Sequence, residues 1–140
     1  MTTPEVANRF YELSQQGAFD TILAELYSKD AKSIEPANGP FVNAQGLDAI
    51  IEKGKQFHDM LEEMHDGYTS APVVAGNFFT CTMGMDVTFK GQPRMKMDEV
   101  AVYEVRDGKI VLEQFNPPKT FEIKTADIVS IHRVVGSGEV

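Results

Sequence analysis

Apolar residues recur at helical spacing in the first half of the chain and at alternate positions in the second. From Pro4 to about Gln16, Val6, Phe10 and Leu13, with Ala7 and Tyr11, fall three and four residues apart, and Thr3-Pro4 supplies a cap and a helix start. The pattern predicts a helix that ends at Gly17. A second helix, from about Phe19 to Tyr27, places Ile22, Leu23 and Leu26 on its buried side and Asp20 near its N-terminus. Lys29 to Glu35 reads as a short extended piece closed by Pro36, and Pro36-Ala37-Asn38-Gly39-Pro40 as a turn-rich loop. A third helix is expected from about Leu47 to Glu63, with Ile50, Phe57, Met60 and Leu61 among the residues of its apolar stripe.

After Met64 the period changes from about 3.6 residues to 2. Strands are expected at about Asp66–Val74, Phe78–Lys90, Met95–Arg106 and Lys109–Phe115, separated by Gly76-Asn77, Lys90-Gly91-Gln92-Pro93 and Arg106-Asp107-Gly108. Such a meander pairs antiparallel. The predicted class is α+β: three N-terminal helices packed on a strongly curved antiparallel sheet, which together enclose a cone-shaped pocket. Residues 1–116 form that domain. Within the segment 117–140, Phe121 to Val135 alternates weakly and is compatible with an extra strand, a partner-wrapping arm or a mobile tail.

Hairpin register decides which side chains enter the pocket, because a slip of one residue exchanges the two faces. A three-residue Lys90-Gly91-Gln92 loop pairs Val87 with Met95, Met85 with Met97 and Met83 with Glu99. A bulged Arg106-Asp107-Gly108 turn pairs Tyr103 with Val111, Ala101 with Glu113 and Glu99 with Phe115. One nearly apolar face results, and Glu99 and Glu113 stand on it. A two-residue Asp107-Gly108 turn would instead remove Glu113 from this face. Two carboxyls among methionines and aromatics are costly to ionise, so a ligand pocket with raised pKa values is one reading. Access to water, or pairing with Lys53 or Arg94, is the other. Methionines at 83, 85 and 97 suit a cavity that adapts to an apolar ligand.

Composition narrows the partners. With 21 acidic against 13 basic residues, the formal net charge is −8, which opposes nucleic acid and anionic membranes. Cys81 is the single cysteine and reads as a packed, inert thiol; its solitude and an N-terminus without a leader pattern imply the cytoplasm. Glu62-Glu63-Met64-His65 holds one Glu-x-x-His spacing but no second copy, so a di-iron site is not indicated. A metal held by Glu35, His65, Glu99 and Glu113 is a minor alternative; no metal and no cofactor is the expectation.

Several strings are familiar: Arg9-Phe10-Tyr11-Glu12-Leu13, Gly17-Ala18-Phe19-Asp20, Tyr27-Ser28-Lys29-Asp30-Ala31, Ser33-Ile34-Glu35-Pro36, Gly46-Leu47-Asp48-Ala49-Ile50 and Arg106-Asp107-Gly108-Lys109-Ile110. Over about residues 5 to 116 the chain resembles the SnoaL-like branch of the nuclear transport factor 2-like superfamily. The resemblance implies a cystatin-like fold, a cone-shaped pocket, a small-molecule ligand and a homodimer. Ketosteroid isomerase, polyketide cyclases, dehydratases, epoxide hydrolases and non-catalytic binders share that fold, so activity must come from the site. Against the ketosteroid isomerase pattern, Glu35 falls at the general-base carboxylate and His65 at a pocket-lining position. Phe10 stands at the oxyanion tyrosine, and the second oxyanion acid falls near Ala101 or Val100. Glu35, His65, Glu99 and Glu113 are therefore the candidate catalytic residues, with Phe10, Met83, Met85, Met97, Ala101 and Phe115 lining the ligand. The chemistry implied is proton transfer of the isomerase, cyclase or dehydratase kind without a cofactor. A non-catalytic ligand-binding or dimerisation module is the rival.

Overall fold

The computed structural model describes residues 1–37 and 41–116. Helix α1 spans Thr3–Gln15 and α2 spans Phe19–Leu26. The cap of α1 is Thr2, one residue earlier than expected: its hydroxyl accepts from the Glu5 amide, and Glu5 accepts from the Thr2 amide at 2.9 Å. Strand β1 (Tyr27–Ile34) follows α2 directly, and β2 is the short pair Ala44–Gln45. Helix α3 covers Leu47–Met60 and stops three residues before the expected Glu63. Leu61 turns extended and pairs with Phe89, so the last residues of the helical pattern exchange helix bonds for sheet bonds. Strands β3 (Leu61–Thr69), β4 (Val73–Ala75), β5 (Phe78–Phe89), β6 (Met95–Arg106) and β7 (Lys109–Asn116) complete the described chain.

Among the described residues the sheet has seven strands in the order β2-β1-β7-β6-β5-β3, with β4 beside β5. It is mostly antiparallel, but β1 and β7 run parallel, a pairing the meander pattern does not predict. The β5–β6 register is the expected one, with Met83 opposite Glu99 and Met85 opposite Met97. The β6–β7 register differs. Asp107 and Gly108 both have positive φ, a two-residue turn, and Val105 pairs with Ile110. A bulge then follows between Glu104 and Val105, after which Tyr103 faces Glu113 and Ala101 faces Phe115. The extra residue restores the parity that the tight turn removes. Glu113 therefore stays on the expected face but takes the place opposite Tyr103 expected for Val111, and Ile110, fully buried, stands opposite Val105.

One face of the sheet carries the helices. At one end, Val6, Phe10, Leu13, Ile22 and Leu26 pack on Phe79, Cys81, Ala101, Tyr103 and Ile110. Phe79 and Tyr103 stack at 4.7 Å, and Phe10 tilts against both at 5.4 and 4.8 Å. At the other end, Phe57 of α3 meets Phe89 edge-on at 5.7 Å and Phe41 at 5.6 Å, beside a fully buried Val87. Among the described residues no helix is long and apolar enough to cross a membrane. The expectations for residues 38–40 and 117–140 lie outside the described residues.

Candidate functional site

Between the two apolar clusters the inner face is only half covered. Met83, Met85, Met97, Glu99 and Phe115 are each half-buried, whereas Phe79, Cys81, Ala101 and Val87 on either side are buried. A stretch of apolar side chains that its own helices leave partly open is a candidate place for a ligand. The polar groups on this face come from β1, α3, β6 and β7.

Glu113 sits 5% exposed, directly opposite Ser33 in the parallel β1–β7 pair. The Tyr27 hydroxyl donates to its Oε1 at 2.6 Å and the Ser33 hydroxyl to its Oε2 at 3.2 Å. Burial raises the Glu113 pKa, against the opposing pull of these two donors and of Lys53. Burial, then the Glu113 charge, pushes the Tyr27 phenol well above its usual range, so it remains a donor. Lys53, from α3, donates to the Ser33 hydroxyl and to Glu35 Oε1, the latter at 2.7 Å. Both members of that ion pair are nearly covered, with side chains 12% and 11% exposed. Asn43 holds the Glu35 backbone amide at 2.8 Å. The polar chain Tyr27–Glu113–Ser33–Lys53–Glu35 thus runs without interruption from the core to the loop after β1. The Lys53 Nζ also stands 5.8 Å from the Phe115 ring centre.

Glu99 is different. No hydrogen bond or ion pair holds it among the described residues. Burial, and then the charges of Glu35 and Glu113, raise its pKa to about 7, with Lys53 pulling the other way. A carboxyl that is half protonated near neutral pH can give or take a proton. Burial, and then the charge of Glu99, raise the Cys81 thiol to about 11, consistent with an inert packed cysteine.

The structure brings together Glu35, Glu99 and Glu113 and leaves His65 apart. His65 is the bulged residue between Met64 and Asp66, and its Nε2 lies 2.8 Å from Thr88 Oγ1, with Glu63 at 3.4 Å from Nδ1. Thr88 alternates with Val87, so His65 stands on the outer face, not on the side of Met83 and Met85 as expected. The bulge, invisible in the alternation, is the reason. The four-residue metal set that includes His65 is therefore not assembled, and no group of metal-ligating residues occurs among the described residues. Glu62 and His65 both lie in β3, so their spacing does not share a helix face. Arg94 pairs with Asp86 on the outer face, not with either inner acid. Phe10 is 3% exposed inside the aromatic cluster and Ala101 is fully buried, so both support the pocket floor from within. Tyr27 and Ser33 were missed: they belong to a strand whose contacts with Glu113 on β7 span 86 and 80 residues of sequence. The alternation of buried Ala31 and Ser33 was the available signal.

A helix-covered, mostly antiparallel sheet with a half-open, acid-bearing inner face defines a small-molecule pocket protein of the cystatin-like, nuclear transport factor 2-like kind. The model of the SnoaL-like domain matches residues 1–116, and the chain belongs to that family. A structure from Mesorhizobium loti, whose description provisionally assigns it to the SnoaL-like polyketide cyclases and also carries the label carbohydrate phosphatase, is 34% identical, covers 83% of this chain and 99% of its own, and superimposes with a TM-score of 0.78. TerC, crystallised with polyporic acid, is 17% identical with a TM-score of 0.66 over 96% of this chain and 98% of its own. A Catenulispora acidiphila protein of ketosteroid isomerase-like fold, in complex with trimethylamine, is 19% identical with a TM-score of 0.63 over 82% and 86%. No curated protein matches the sequence.

Proposed function

We propose that the inner face binds a small, largely apolar metabolite bearing a carbonyl or hydroxyl group, and moves a proton on it without a cofactor. The observation that carries this reading is Glu99: a carboxyl without a partner among the described residues, set between Met83 and Met97, with a pKa of about 7. Glu35, paired with Lys53 at 2.7 Å, is the base, and protonated Glu99 is the acid that returns the proton. Glu113 orders Tyr27 and Ser33. Isomerase, cyclase and dehydratase chemistry all follow from such a pair, and the 34% identity to a protein assigned by its description to the SnoaL-like polyketide cyclases favours cyclisation among them. The polyporic acid carried by TerC supports an aromatic, oxygenated ligand.

Thermal-shift and calorimetric screening against hydroxylated and keto aromatic compounds, polyporic acid included, tests the reading. Binding weakened by Glu99→Gln, and turnover abolished by Glu35→Gln, are expected. Binding that no inner-face substitution alters would discard the pocket. A second reading, binding without chemistry, draws on Phe10 and Ala101, which place no donor at the family's oxyanion positions; tight binding with no turnover would select it. We further assign the protein to the cytoplasm as a homodimer, with Tyr68, Phe78 and Val100 exposed on the outer sheet face as the contact surface. Light scattering at twice the chain mass is expected, reverting to one chain mass in Val100→Glu.

A further inference from the structure

Proton transfer on the inner face needs a donor for the ligand oxygen on which charge grows, and neither Phe10 nor Ala101 supplies one. Among the described residues, one charged donor on this face needs no prior protonation. The Tyr27 hydroxyl is committed to Glu113 at 2.6 Å and the Ser33 hydroxyl to the same carboxylate at 3.2 Å. The Tyr103 hydroxyl, on a residue 2% exposed, rests against the Met83 sulfur at 3.9 Å. His65 is on the other face with Thr88. Lys53 is the exception. An ammonium carries three N–H groups, and the described residues accept two of them, through Glu35 and Ser33.

Resting on the pocket reading above, we propose that the third N–H of Lys53 holds an anionic ligand oxygen, so that the pocket takes enolic or phenolic acids conjugated to a carbonyl. The stem of Lys53 comes from α3 and its Nζ stands over the face of Phe115, at the border of the half-open stretch. Charge is conserved within the site. A ligand that arrives neutral passes the proton of its hydroxyl or carbon to the Glu35 carboxylate, the electron pair moves onto the ligand oxygen, and the ammonium stands between the two; a ligand that arrives ionised is balanced by one proton taken up from solvent by Glu35 or Glu99. No charge is created in a poorly solvated place, which is the costly alternative. Lys53 then acts as a fork: one N–H aims the base, one ties α3 to Ser33 and Glu113, and one receives the substrate.

Calorimetric titration of the full chain with lawsone, an ionised hydroxynaphthoquinone, and with its neutral methyl ether tests this at neutral pH. Wild type should prefer lawsone by on the order of tenfold, the value of one charge-assisted hydrogen bond. Lys53→Met should erase the preference and Lys53→Arg should retain part of it. Because Lys53→Met leaves Glu35 uncompensated, Lys53→Met/Glu35→Gln is measured beside it, with circular dichroism as the check of folding, and it too should lose the preference. Equal binding of both compounds by wild type, or a preference that survives in the double variant, would overturn the role of Lys53 and leave the pocket standing. Failure of wild type to bind either compound would overturn both for this ligand class.

Discussion

Glu113 and Glu99 share one face of one sheet and live under opposite conditions. Glu113 is deep, opposite Ser33 in the parallel pair, and each of its oxygens accepts a hydroxyl. Glu99 is shallower, opposite Met83, and no described donor reaches it. Burial raises the pKa of both, but at Glu113 two hydrogen bonds and Lys53 oppose it, whereas at Glu99 the nearby carboxylates reinforce it. The first carboxyl is part of the architecture, because removing it strands the donors built around it. The second costs stability when ionised, with only the more distant charge of Lys53 in its favour and no hydrogen bond among the described residues, which is the signature of a group kept for work on a ligand.

Replacing Glu113 by Ala should be the most damaging change. It leaves the Tyr27 and Ser33 hydroxyls without their acceptor and opens a hole, for a loss of about 3–5 kcal/mol in urea unfolding. Glu113→Gln, which keeps an acceptor oxygen, should cost only about 1 kcal/mol. Near-equal losses in the two variants would show that volume, not hydrogen bonding, is what Glu113 provides.

Glu99 should behave in the reverse sense. Its folded pKa of about 7 lies above the ordinary 4.5, so the folded state holds this proton more tightly than the unfolded chain does. The stability it contributes is complete below pH 4.5 and is lost as the pH rises through about 7. Glu99→Gln should therefore change little at acid pH and stabilise the protein by about 2–3 kcal/mol at pH 8. A pH–stability profile with the same slope in wild type and variant would refute the assignment.

Two smaller changes away from the inner face set the baseline. Gly84, buried on the outer face, is overlain by the Tyr68 ring, and an added Cβ would run into it. Tyr68 donates to Asp98 at 2.9 Å from that position. Gly84→Ala should displace the ring at a cost of about 1–2 kcal/mol, and in a Tyr68→Ala background the cost should fall, by double-mutant cycle. Thr2→Ala removes the cap of α1 and should cost about 1 kcal/mol in thermal unfolding. Neither should alter the binding of any probe that Glu99→Gln or Lys53→Met affects.

The change of period after Met64 was enough to predict an α+β chain, three helices and the long strands β5 and β6, because side-chain periodicity is a local property of the backbone. The Lys90-Gly91-Gln92 turn also set the β5–β6 register, since a short loop leaves few ways to pair its strands. Glu99 was legible for that reason: one turn and one alternation lead to it. Glu113 landed on the correct face through two compensating departures, a tighter turn and an unseen bulge. At His65 a single bulge had no compensation, and the side chain went to the other face. Bulges are set by the twist of the assembled sheet and leave no mark in hydrophobic alternation.

By itself, then, the sequence determined the class of fold, the apolar inner face and the presence of acids upon it, all of which rest on residues near one another in the chain. Tertiary structure alone decided that β1 lies parallel to β7, and so that Ser33 and Tyr27 meet Glu113 and that Lys53 joins them to Glu35. Those contacts span up to 86 residues. Pairing between distant strands depends on how every intervening element packs, and that information is spread over the whole chain with no local pattern to carry it.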